Sequence, residues 1–242
     1  MSGSRIPGPL GAQAWQRSLD PGTAVLAFMG PPAPVGTNTV LRPAPEPIDE
    51  DVRLLAATAY GEGSTSNVYE EMAAIANVLV RQQKARGHAS IAGFIRGDRT
   101  FAFAAHDGND RFERLRAATE DQIAADAGMS SAVRAARNAL SPAGTDYSNG
   151  AFFWDGADIR SNYSRHPKVR DGIRFGDPAH NLYGIDEKNV PGEEWWRNAA
   201  GQNTRLRGQW SYKYESTAAY GGTIFWRYNP DFVRATGNRE YR

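Results

Sequence analysis

Glu62 stands between Gly61 and Gly63, at the end of the run Leu54-Leu55-Ala56-Ala57-Thr58-Ala59-Tyr60. Val52, Leu55 and Ala59 recur at helical spacing, and Glu62 is the next position on that stripe. A carboxyl group on the buried face of a helix end loses water around its charged form, so its pKa should rise. A glutamate that keeps its proton near neutral pH is the general acid that cleavage of a glycosidic bond requires. The competing reading is a stripe that ends at Gly61 and a solvated Glu62 in a loop.

Three other segments carry polar groups suited to partner such an acid. In Phe101-Ala-Phe-Ala-Ala-His-Asp107-Gly-Asn-Asp110, an aromatic run leads to a polar turn in which Asp107 can face a cleft. An Asx turn, with Asp107 and Asn109 bonding their own backbone, is the favoured alternative. In Asp146-Tyr-Ser-Asn149 through Trp154-Asp-Gly-Ala-Asp158, Asp155 is the candidate second carboxylate, able to activate water or steady an oxocarbenium-like state. Tyr147 and Trp154 offer flat faces for sugar rings, and Ser148 and Asp158 add polar groups that can bind substrate. In Tyr214-Glu-Ser-Thr217, the hydroxyls of Ser216 and Thr217 can position substrate or water; caps of a helix or strand are their commoner use.

These residues need elements to hold them. Asp49, Glu50 and Asp51 mark the start of a first helix that ends near Gly61. Asn67 with Glu70 resembles a capping box for a second helix, whose stripe is Val68, Met72, Ile75 and Leu79 and whose stop is Gly87. Ser90 to Arg96 reads as a short third helix. Asp121 to Leu140 reads as helical with a break at Gly128. Gly150-Ala-Phe-Phe-Trp154 and Gly222-Thr-Ile-Phe-Trp226 share one spacing and read as short strands entered through glycine turns. Between them the expectation is loops, with one short helix around Glu193-Glu-Trp-Trp-Arg197. Trp195 and Trp196 are expected as buried packing anchors. Residues 1–47 hold a dense proline set (Pro31, Pro32, Pro34, Pro43, Pro45, Pro47) and read as an extension or linker before a domain spanning 48–242.

Composition removes several classes. The formal net charge of +1 gives no electrostatic case for nucleic-acid binding. With no cysteine, disulfides, zinc-thiolate sites and thiol nucleophiles are excluded. His88, His106, His166 and His180 are scattered, so no metal site is expected and no cofactor is called for. No Gly-x-Ser-x-Gly elbow and no phosphate-binding glycine loop is present. The first residues lack a basic segment followed by an apolar run, so the expectation is a soluble chain, made in the cytoplasm and not exported by the general route.

Ala56-Ala-Thr-Ala-Tyr-Gly-Glu62-Gly, followed by Met72-Ala-Ala-Ile-Ala-Asn-Val-Leu79, resembles the opening of the cell-wall hydrolases related to spore-cortex-lytic enzymes. Phe101-Ala-Phe103 with Asp107-Gly108, and Gly150-Ala-Phe-Phe-Trp154, resemble later segments of that family in the same order. The chain departs from it at Tyr60, where the family often has histidine, and around Ala105. The resemblance implies an α+β, predominantly α fold of the lysozyme and lytic transglycosylase kind, with small antiparallel strands in the C-terminal half. It implies cutting of peptidoglycan glycan strands, with Glu62 as the acid. The 146–158 and 214–226 segments look like a narrower branch, the lysozyme domains of type VI secretion effectors. That branch implies action in the periplasm of a target bacterium, a secretion-apparatus partner and an immunity protein. The expected function is therefore a muramidase, with anhydro-forming transglycosylase, amidase and silent wall-binding module as alternatives.

Overall fold

The computed structural model describes residues 47–242 apart from 100 and 102. These belong to one compact unit, Ala44–Arg242. The linker expected over 1–47 lies outside the described residues but for Pro47.

The fold is α+β. Six helices come first: α1 (Glu50–Glu62), α2 (Tyr69–Ala85), α3 (Ile91–Gly97), α4 (Asp110–Ala117), α5 (Glu120–Ala125) and α6 (Ala127–Leu140). Strands dominate the rest: β1 (Phe153–Asp155), β2 (Ile173–Phe175), β3 (Gly192–Arg197), β4 (Asn203–Trp210), β5 (Tyr214–Tyr220) and β6 (Thr223–Tyr228). Short helices α7 (Asp158–Ser161) and α8 (Pro167–Asp171) lie between β1 and β2, and α9 (Pro230–Thr236) closes the chain.

α1 is the central helix, packed against α2, α3, α4 and α6. Leu55, Ala56, Ala57 and Ala59 are fully buried, as are Ala132, Ala135 and Ala136 of α6. Small side chains on both helices allow close approach of the two backbones, and burial of Leu55 alone contributes roughly 2 kcal/mol. Asp49 caps α1 by accepting from the Val52 N–H at 2.8 Å. The far end of α1 is tied by side chains of α4. Arg111 Nε donates to the Tyr60 carbonyl at 2.7 Å, and Asn109 Nδ2 to the Gly61 carbonyl at 3.2 Å. Carbonyls that the helix cannot satisfy itself are thereby satisfied.

The four-stranded sheet runs β1-β6-β5-β2. β1/β6 and β6/β5 are antiparallel; β2 joins β5 in parallel. The two Phe-Trp segments are neighbours, Phe153 opposite Trp226 and Trp154 opposite Phe225. Alternation divides them between two cores. Phe225 and Trp154 face the helices, whereas Phe153, Ile224 and Trp226 belong to a second core with Ile159, Val169 and Ile173.

Several expectations change. α2 begins at Tyr69 with no side-chain cap bond. Asn67 instead takes a left-handed φ of 54°, and its Oδ1 accepts from Arg111 at 2.9 Å. The break before α6 falls at Asp126, whose carboxylate caps α6 through the Met129 N–H. Glu193 to Arg197 is not a helix but part of β3, paired with β4 in a separate ribbon. Aromatic pairs suit a pleated ladder better than a helix turn. Trp196 is correspondingly 49% exposed, not buried.

Candidate active site

Glu62 closes α1 and is half-buried. Its Oε1 accepts the Ala104 N–H at 2.7 Å, from the tight turn Phe103–Ala105. The Trp154 side chain also hydrogen-bonds to it, and the indole N–H is the donor. Burial holds the Glu62 pKa above its ordinary value of 4.5. The Ala104 N–H pulls it down, the negative charge of Asp107 pushes it up, and the Trp154 bond pulls it down again. Burial wins over the two donors. Its neighbour Gly61 has no room for a side chain. A Cβ there would lie 2.9 Å from the Ala104 Cβ and 3.1 Å from that of Phe112. Glycine is what lets the Phe103–Ala105 turn come close enough to donate to Glu62.

Glu62 opens into a cleft of about 340 Å³, lined also by Phe101, Phe103, Trp154, Asp155 and Lys168. Phe101 packs edge-on against Trp154, ring centres 5.1 Å apart, and Phe103 is 60% exposed. The walls are thus flat and apolar around two carboxyl groups. A larger hollow of about 660 Å³ lies beside α5 and α6, but its carboxylate, Asp126, is spent on Arg114 and on the α6 cap. Chemistry, not size, selects the Glu62 cleft.

Asp155 follows Trp154 directly, so the pleat turns it to the other face of β1, opposite Ile224. There Lys168 of α8 lies 2.9 Å from each of its oxygens and directs a hydrogen bond at Oδ1. The two side chains are only 10% and 14% exposed. His166 Nε2 is 3.3 Å from Asp155 Oδ1 and 3.4 Å from Asp158 Oδ2. Asp155, Asp158 and His166 are close enough to share a divalent cation. The donor set does not fit one. Lys168 already supplies the positive charge, and His166 Nδ1 is buried with, among the described residues, no acceptor to fix the ligating tautomer.

The structure brings Glu62, Trp154 and Asp155 together, with Asp107 beside them. Asp107 Oδ1 accepts from the Asn109 N–H at 3.1 Å, which is the Asx turn, while its charge reaches Glu62. The remaining candidates lie away from the lining of this cleft. Tyr147 packs edge-on against Tyr69. Ser148 is fully buried, donates to Asp146 Oδ1 at 2.7 Å and accepts from Arg81 at 2.9 Å. Asp158 is exposed at the start of α7. Ser216 and Thr217 are buried strand residues beside a separate hollow of about 360 Å³. Ser216 Oγ accepts from the Gly176 N–H at 3.1 Å and lies 2.9 Å from His180 Nδ1; Thr217 Oγ1 donates to the Ser148 carbonyl at 2.7 Å. These hydroxyls hold strands and loops together, the cap-like use that small hydroxyl residues commonly have. Sequence reasoning missed Lys168, His166 and the Ala104 N–H, whose partners are all distant in the chain. It also missed the role of Trp154 as a donor.

Comparison with models of known families, with curated proteins and with solved structures finds no match to this chain. No helix among the described residues is long and apolar enough to cross a membrane.

Proposed function

We propose that this chain cleaves the β-1,4 bond between the alternating sugars of peptidoglycan, as a lysozyme-like glycosidase. The observation that carries the reading is Glu62: a half-buried carboxyl with a raised pKa, opening into an aromatic cleft that holds a second carboxylate. Aromatic faces suit sugar rings, and a protonated glutamate suits the leaving oxygen. Glu62 gives its proton to the glycosidic oxygen as the bond to C1 breaks. In the hydrolytic route, water adds to C1, Asp155 takes its proton and a reducing muramic end results.

A second route has its own support. Both Asp155 oxygens lie within 2.9 Å of Lys168, which blunts Asp155 as a base for water. In that route the hydroxyl of the muramic sugar attacks its own C1, Glu62 takes back a proton, and the product is an anhydro end. Mass spectrometry of digested sacculi separates the two: reducing ends select hydrolysis, anhydro ends select cyclisation. Free stem peptides with intact glycan would indicate an amidase and end the proposal. Glu62→Gln keeps the shape and removes the proton donor; lysis is lost and wall binding persists. A wall-binding module without catalysis would behave alike with either residue. Delivery by a type VI apparatus into a rival's periplasm, with a cognate immunity protein, completes the reading. It rests on the resemblance of the 146–158 and 214–226 segments alone.

A further inference from the structure

Glu71 is a glutamate that the chemistry above does not use, and it is fully buried. It sits in the first turn of α2. Among the described residues no lysine, arginine or histidine forms an ion pair with it. Its charge is met instead by four neutral donors. Oε2 accepts from the Ser64 N–H at 3.1 Å and from the Ser64 hydroxyl at 2.5 Å. Oε1 accepts from the Gly222 N–H at 3.0 Å and from the Thr223 hydroxyl at 2.8 Å. A carboxylate has about four acceptor sites, and here each one is filled.

The two oxygens serve different walls of the cleft. Ser64 is two residues beyond Glu62, on the segment leaving α1. Thr223 opens β6, and the next residue, Ile224, is the ladder partner of Asp155. The turn feeding Thr223 is shaped around the clamp. Gly221 has a φ of +60°, and a Cβ there would lie 2.3 Å from Glu71 Oε2. The Tyr183 hydroxyl donates to the Gly222 carbonyl and holds the same turn from the other side.

We propose that Glu71 is the positioning residue that fixes the separation between Glu62 and Asp155, and through it the partition between attack by water and attack by the sugar's own hydroxyl. This rests on the glycosidase reading. Carboxylate separation decides whether a water fits between acid and base, and a misplacement on the order of 1 Å can cost about 100-fold in rate. A glutamine at 71 keeps the volume but sets its amide nitrogen against the backbone N–H of either Ser64 or Gly222, which cannot accept, so the clamp on that wall loosens.

The test measures kcat, KM and the ratio of anhydro to reducing ends on soluble glycan chains, per folded molecule, for wild type, Glu71→Gln, Thr223→Val and Thr223→Ser. The expected result for Glu71→Gln is a fall in kcat of about 10- to 100-fold, KM within about twofold, and a changed end ratio. Thr223→Val, which removes one donor and keeps the charge, moves both readouts in the same direction by about threefold, and Thr223→Ser restores them. A purely structural role would lower only the melting temperature and the folded yield. Glu71→Gln with kcat and end ratio within about twofold of wild type overturns the proposal. If that variant does not fold, Thr223→Val decides, and a normal end ratio and rate there overturn it equally. A wild type that releases no glycan ends fails the reading of Glu62, and the role of Glu71 with it. An active wild type that Glu62→Gln silences, beside an unaltered Glu71→Gln, fails Glu71 alone.

Discussion

The two walls of the Glu62 cleft treat a carboxyl group in opposite ways. On the helical wall, Glu62 meets one backbone N–H and one indole N–H, a neighbouring acid and, among the described residues, no cation partner. On the sheet wall, Asp155 meets an ammonium group at 2.9 Å and an imidazole at 3.3 Å. One wall favours a proton on its carboxyl; the other offers it positive charge. Two carboxyl groups in one cleft with contrasting surroundings are what a division of labour between acid and counter-charge needs.

Removing the acid is the strongest way to break this contrast. Glu62→Gln should reduce glycan cleavage by about 1,000-fold while leaving sacculus binding intact, measured by product release and pull-down. The same variant should gain stability at neutral pH. Unfolded, Glu62 loses its proton near 4.5; folded, it holds it to higher pH. Between those values the folded state binds more protons, so wild-type stability falls as pH rises. The advantage of Glu62→Gln is therefore absent below about pH 4 and grows above it, which denaturant melts at several pH values will show.

Breaking the other wall should cost folding first. Asp155→Asn leaves Lys168 nearly buried without its counter-ion and should destabilise the protein by about 3 kcal/mol in urea titrations. Lys168→Met tests the same wall from the other side. It frees Asp155 to serve water and should raise the share of reducing ends, by about threefold if the wall's charge balance governs the route.

The finest adjustments act on the Glu62 proton alone. Trp154→Phe keeps the edge-on contact with Phe101 and deletes a bond that lowers the Glu62 pKa, so the alkaline limb of the kcat profile should move to higher pH. Asp107→Asn deletes a charge that raises it, and the limb should move to lower pH. The opposite signs of the two shifts make the pair its own control.

Local signals carried much of this into the sequence. The stripe through Val52, Leu55 and Ala59 placed Glu62 at the end of α1, and two Phe-Trp segments with one spacing turned out to be paired strands. What stayed hidden depends on distant partners. Nothing near Asp155 announces Lys168, because α8 reaches it only through the fold. Nothing near Ser148 announces Arg81. Glu71 was not among the residues singled out in the sequence. Yet it precedes Ile75 by four residues, on the buried side of α2, and a charged residue at that spacing was a legible sign of a built partner set. Trp195-Trp196 misled because two apolar residues fit a helix, and only the facing strand β4 decides otherwise.

Because β1 is three residues long and its successive side chains alternate, Trp154 and Asp155 share one backbone yet report to different layers. A one-residue slip of β1 against β6 would exchange them, swinging the indole toward the ammonium and the carboxylate toward the helices. An inserted residue inside β1 should therefore disrupt the cleft, whereas insertions at the exposed tip Asn198–Gln202 should leave it intact.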